Sequence, residues 1–346
     1  NKHPFLRPDA SHDGDPYKDH YTLVMQHDDD PEKLNSVNEL NGKHGFVIAP
    51  FMPSEECPIL LMRPDVVKHF PIQALTTDNK KIHFPESVSE KEAYQKDFED
   101  FHQQLTKGIF DKIVLARCSH QKSPEAKGLK AEELFKKACQ MYPRLFIALV
   151  STTQSGTWLM ATPEILLSGN GCEFKTMALA GTHTGEETVW TKKEQEEQQY
   201  VSDYIEDVIS EFTDEYSKKG PFTTMAANLY HLRTDFLFRL EDTDCLGEVL
   251  DTLFPTPAIC GIPKEETRQY ILDHESINRK YYSGFVGPLM PSGETQLYVS
   301  LRCMNIHQGG SFQLYAGGGL VAESEMQKEW EETEAKLGTM RAVISK

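Results

Sequence analysis

Several side chains in this sequence are of types that move protons or hold cations and oxyanions, and each sits against apolar neighbours. Lys112 opens the run Lys112-Ile113-Val114-Leu115-Ala116-Arg117, which reads as a buried strand. Alternation puts Lys112, Val114 and Ala116 on one face and Ile113, Leu115 and Arg117 on the other. Such a lysine either snorkels at the sheet edge or is held in a pocket, where an ammonium sheds its proton more readily and can become a base. Glu164 follows Thr162-Pro163 and precedes Ile165-Leu166-Leu167. A carboxyl in apolar surroundings keeps its proton and can act as a general acid; the other reading is a solvated turn residue.

Glu197 lies four residues before Val201 and so extends the stripe Val201, Ile205, Val208 and Phe212. A buried carboxylate needs a partner, for which a hard cation serves; equally, an acid near a helix entrance is favoured by the helix dipole. Glu329, Glu332 and Lys336 share one face beside the stripe Trp330, Thr333, Leu337 and Met340. They could hold a cation and an anionic ligand together, or form an ordinary salt-bridged surface. In Ala316-Gly317-Gly318-Gly319-Leu320-Val321 the glycines let backbone amides approach an oxyanion, or make a flexible turn. Arg302 offers a guanidinium fork for a carboxylate, or is a surface strand arginine.

The elements that must position these groups follow from the pattern. Strands are expected over His44 to Met52, Ile59 to Met62 and Lys112 to Arg117. Ser89 and Glu92 suggest a capping box for a helix carrying Tyr94, Phe98, Phe101 and Leu105, ended by Gly108. Leu129 to Met141 reads as a helix, and Leu145 to Ser151 with Thr157 to Ala161 as a hairpin. Long helices are expected over 191–217 and 265–282, and a last one over 324–344 with Ser324 and Gln327 as its capping box. Leu297 to Asn305 and Ser311 to Ala316 read as a hairpin turning at Gly309-Gly310. No short βαβ repeat appears, so the expected fold is one α+β domain of two packed sheets flanked by helices. Residues 1–85 form its weakly patterned opening part and 86–346 its catalytic region.

Composition narrows the function. The 346 residues are 39% hydrophobic and 26% charged, normal for a protein with a sizeable core. No apolar run reaches membrane-spanning length, and Asn1 to Asp15 is polar; the chain does not begin with Met, which leaves a removed leader open. Seven cysteines without metal-ligand spacing suit a reducing, cytoplasmic setting. A net charge of −17 argues against nucleic acid and anionic membranes. An anionic substrate would need local help from a metal, Lys or Arg, or backbone amides.

Taken in order, these segments resemble the chorismate-utilising enzymes. The matching blocks are KIVLAR (112–117), TPE (162–164), ALAGT (178–182), KEQEEQQYVSDYI (193–205), LFPTPAICG (253–261), RKYYSGFVG (279–287), LRC (301–303), YAGGGLV (315–321) and EWEETEAK (329–336). The resemblance covers roughly residues 90–346. Lys112 stands where the amination branches have glutamine, and Ala180 where the aminodeoxychorismate branch has a nucleophilic lysine. Both point to the branch that adds water to chorismate, the isochorismate synthases; water needs a base, whereas ammonia does not.

The resemblance implies chorismate as substrate and Mg2+ as cofactor, in a monomer or homodimer of the menaquinone or siderophore pathways. Lys112 would be the base and Glu164 the acid. Glu197 and Glu332 would hold Mg2+, with Glu329 as an additional or water-mediated contact. Arg302, Lys336 and the amides of Gly317, Gly318 and Gly319 would hold substrate carboxylates, and Ala180, Gly181 and Thr182 would line the pocket. Two residues depart from the family: Phe254 replaces a histidine expected to hydrogen-bond the substrate, and Gln198 replaces one after the helix glutamate. A salicylate synthase, an anthranilate-type synthase and a non-catalytic homologue are the alternatives.

Overall fold

The computed structural model describes residues 5–7, 20–28, 30–72, 87–123, 126–183, 189–226, 229–290 and 293–345. Among them, two sheets of nine strands each are built from antiparallel pairs. One runs Gly261–Ile262, Lys112–Lys122, Ser311–Leu320, Cys303–His307, Gly156–Thr162, Phe146–Thr152, Phe5–Arg7, His20–Met25, Val66–Pro71. The other runs Tyr216–Ala226, Leu229–Arg239, Glu173–His183, Ile165–Asn170, Glu294–Val299, Phe285–Leu289, Gly45–Ala49, Ile59–Met62, Glu32–Leu34. The helices are α1 (Val88–Thr106), α2 (Ala131–Met141), α3 (Lys192–Phe212), α4 (Leu246–Leu253), α5 (Lys264–His274) and α6 (Met326–Ser345). No described helix is long and apolar enough to cross a membrane.

The expected α+β class and sandwich are found. The sheets pack face to face through Phe46, Ile48, Phe146, Ala148, Trp158, Met177 and Tyr298. Alternate residues of the same strands, such as Ile147 and Leu149, point outward against α2 and α6. The second sheet is covered by α3 and α4 through Val201, Ile205, Leu246 and Leu250. Strands buried on both faces are apolar throughout, which is why their sequences carry little alternation.

Five expectations need correction. The α1 cap is Ser87, whose side chain accepts from the Glu90 amide, two residues before the expected Ser89. Ser324 forms no box with Gln327; its hydroxyl accepts from the Val321 amide instead. The helix expected over 191–217 stops at Phe212, because the chain extends at Thr213 to enter the Tyr216–Ala226 strand. The helix expected to reach 282 stops at His274, where the backbone turns extended at Glu275. The strand expected over 297–305 is two strands in different sheets. Residues 300–302 cross between them, with Arg302 at φ +45°.

Candidate active site

The Lys112–Lys122 strand behaves as its alternation requires. Ile113 and Leu115 pack outward with Phe98, Phe101 and Trp330, while Val114 faces a cleft at the end of the sandwich. Lys112 is fully buried, and its Nζ stands 3.1 Å from Glu197 Oε1. The pocketed alternative is therefore the observed one.

Three glycines make room for this pair and its neighbours. Gly317–Gly319 do not form a loose turn: they lie within a strand, opposite Ala116, Leu115 and Val114. A Cβ on Gly319 would collide with Glu197 Oε1 and stand 2.7 Å from Lys112 Cε, so any larger residue there would push both side chains aside. The Val114 and Ala116 amides point away from this strand, to Cys260 and Glu275. Their partners Gly319 and Gly317 therefore turn their own amides to the opposite, open edge, as non-bonded antiparallel pairs do. Both line the cleft; Gly318 is turned into the ladder and does not. The Gly317 carbonyl accepts from Lys336 Nζ at 2.8 Å.

Glu164 lines the cleft and is 3% exposed. Burial pushes its pKa up to about 8, against the pull of the Lys112, Lys336 and Arg302 cations. It holds a proton at neutral pH. Arg302 also lines the cleft. Its Nη2 donates to His231 Nε2 at 2.7 Å, and His231 Nδ1 bonds the Gly181 carbonyl at 2.7 Å. This pairing assigns the proton to Nδ1. Burial and the Arg302 charge hold His231 well below the usual histidine range, so it stays neutral and aims the guanidinium.

The three acids expected to hold a metal each take a lysine. Glu197 pairs with Lys112, Glu332 with Lys336 at 2.6 Å, and Glu329 with Lys193 at 2.5 Å. Among the described residues they do not close into one cluster of three ligands. Glu329 Oε2 and Glu332 Oε1 nevertheless flank one spot, 3.2 and 3.5 Å from where a Gly318 Cβ would lie. Burial, then the Glu332 charge, raises Glu329 to about 6. Carboxylates crowded in this way suit a hard cation that keeps waters and a substrate oxygen in its shell.

Ala180, Gly181 and Thr182 line the cleft, as do Glu197, Glu332 and Lys336. Lys112 and Glu329 lie just behind its wall. Phe254 is outside it, buried edge-on against Phe285 at 5.1 Å. Gln198 is spent on the Ala178 carbonyl and Thr234 hydroxyl, tying α3 to the sheet. Sequence reasoning missed His231, Tyr282 and Lys193. His231 sits in an unrecognised strand, where one polar residue between Leu229 and Leu232 was the available signal.

Residues 65–345 match the family profile described as chorismate binding enzyme. Isochorismate synthase DhbC of Bacillus subtilis (strain 168) is 31% identical over 273 residues, 73% of this chain and 68% of that protein. Isochorismate synthase EntC of Escherichia coli (strain K12) is 27% identical over 246 residues, 68% of this chain and 62% of that protein. A crystal structure described as the 2,3-dihydroxybenzoate-specific isochorismate synthase DhbC of Bacillus anthracis superposes with a TM-score of 0.82 at 22% identity, covering 99% of this chain and 96% of the other. The profile spans most of the chain, and the chain belongs to the chorismate-binding enzyme family.

Proposed function

We propose that the protein is an isochorismate synthase, converting chorismate to isochorismate. The observation that carries this reading is a buried acid and a buried lysine at one site: Glu164, protonated up to about pH 8, and Lys112, fully buried against Glu197. Lys112 Nζ takes a proton from a water whose oxygen bonds to ring carbon C2. The ring double bonds shift, and the C4–O bond breaks as Glu164 gives its proton to the departing hydroxyl. One water enters and one leaves, so the net change is an isomerisation, and the proton on Lys112 passes back to Glu164 between turnovers.

Arg302, held by His231, and Lys336 take the substrate carboxylates, helped by the outward amides of Gly317 and Gly319. Glu197 and Glu332 would hold Mg2+, with Glu329 as a further or water-mediated contact. The ion supplies positive charge to a substrate carboxylate. Incubating the protein with chorismate and Mg2+ and separating the products by chromatography tests the reading. Isochorismate should accumulate and the reaction should run both ways. Pyruvate released at the rate of chorismate loss, in a coupled lactate dehydrogenase assay, would make it a salicylate synthase instead. An ammonium-dependent aminobenzoate would move it to the amination branch.

A further inference from the structure

The strand that carries Lys112 has one edge that a neighbouring strand covers only at its start. Ser311–Leu320 runs along the other edge from Ile113 to Lys122. On the open edge, Gly261–Ile262 meets only Ile113 and Lys112. The next backbone groups there find partners outside any strand. The Val114 amide donates to the Cys260 carbonyl at 2.6 Å. The Val114 carbonyl accepts from Arg279 Nη2 at 2.8 Å, and the Ala116 amide donates to Glu275 Oε1 at 2.8 Å.

Those two side chains are locked to each other. Arg279 Nε and Nη2 reach the two Glu275 oxygens at 2.6 Å each, and Nη1 donates to the Ile259 carbonyl at 2.8 Å. The guanidinium lies 4.5 Å from the Phe51 ring centre. Side-chain exposure is 3% for Arg279 and 1% for Glu275. A buried ion pair is a poor source of stability by itself. Here it supplies one donor and one acceptor at the spacing of a strand, to backbone groups that would otherwise be buried unpaired. It also joins two walls of the cleft, since Val114 and Ile259 both line it.

Resting on the isochorismate synthase reading, we propose that the Glu275–Arg279 pair is a positioning device for the reaction. It stands in for a missing strand, fixes the Lys112 strand against the Ile259 wall, and so sets where Lys112 Nζ meets the attacking water. Neither side chain lines the cleft, so the pair acts through Lys112.

Arg279→Lys keeps the charge but loses the fork. It should lower kcat for chorismate by ~10–100-fold, the cost of a small misplacement of a reacting group. KM should change by less than about threefold, because Arg302 and Lys336 stand on other elements. Glu275→Gln keeps an acceptor for the Ala116 amide and should lose less; it decides the matter if Arg279→Lys does not fold. Each change is then repeated in a Lys112→Ala background. There the second substitution should cost almost nothing more, since the group being positioned is gone. An unchanged kcat, or an equal loss in both backgrounds, overturns the inference and makes the pair structural. A wild-type protein that leaves chorismate unconverted overturns the functional reading itself, and the inference with it.

Discussion

Glu164→Gln separates the chemistry of the cleft from its cost to the fold. The Glu164 carboxyl moves from an ordinary 4.5 to about 8 because burial strips its carboxylate of water faster than Lys112, Lys336 and Arg302 replace it. At about 1.36 kcal/mol per pKa unit, that rise corresponds to about 5 kcal/mol. The sign follows from proton binding. Between pH 4.5 and about 8 the folded chain keeps a proton that the unfolded chain has shed, so this group makes stability fall as pH rises through that window. Below 4.5 it has no effect; above about 8 its cost is complete.

The variant removes that slope. In urea unfolding from pH 5 to 9, wild-type stability should decline relative to Glu164→Gln by about 4 kcal/mol, the part of the window above pH 5. Activity should move oppositely. An amide cannot give up a proton to the departing hydroxyl, so kcat should drop by ~10²–10⁴-fold. Wild-type kcat/KM should fall about tenfold per pH unit once pH passes about 8. A kcat/KM that stays level to about pH 9.5, or a variant keeping about a tenth of wild-type activity, would refute Glu164 as the acid. Parallel stability curves for the two proteins would refute the burial argument even if activity were lost.

Lys112→Ala should fold and bind chorismate while losing ~10²–10⁴-fold in kcat, measured at saturating substrate. Glu197→Gln and Glu332→Gln should each weaken Mg2+ binding about tenfold or more by titration calorimetry, and exhaustive chelation should abolish turnover. Gly319→Ala should cost ~10²-fold in kcat, because its methyl group would displace both Glu197 and Lys112; a normal rate would show that the close approach at Gly319 is unimportant.

The site was legible where its residues break a pattern. Lys112 on a Val/Ala face, and Glu197 extending an apolar stripe, are anomalies that a strand or helix of known period exposes. The α6 stripe Trp330, Thr333, Leu337 and Met340 is buried as its spacing required. The missing parts have physical reasons. Nothing local in 297–305 marks the crossing between sheets: Leu297, Val299, Leu301 and Cys303 alternate straight through it. The signal would have been a glycine at the left-handed position, which Arg302 occupies instead, held by His231. Tyr216–Ala226 was invisible because it is an edge strand carrying Lys218, Lys219, Gly220 and Pro221, residues that protect an edge and erase strand propensity. Its partner, with His231, went unseen with it.

The charge arrangement explains how a chain of net charge −17 could receive a dianion. Lys193, Lys336 and Arg302 face Glu197, Glu329 and Glu332, while Glu164 is protonated and contributes no charge at neutral pH. The cleft is therefore close to balanced, and its lysines are held by their glutamates. A divalent ion on those carboxylates would leave the lysines and arginine as uncompensated positive charge, inside a region that screens poorly. Glutamates that look like a liability for an anionic substrate thus keep the cations ordered before it arrives. The same logic accounts for Glu164. A fourth ionised carboxylate would cancel the gain, and burial prevents it by keeping that group neutral until it has a proton to give.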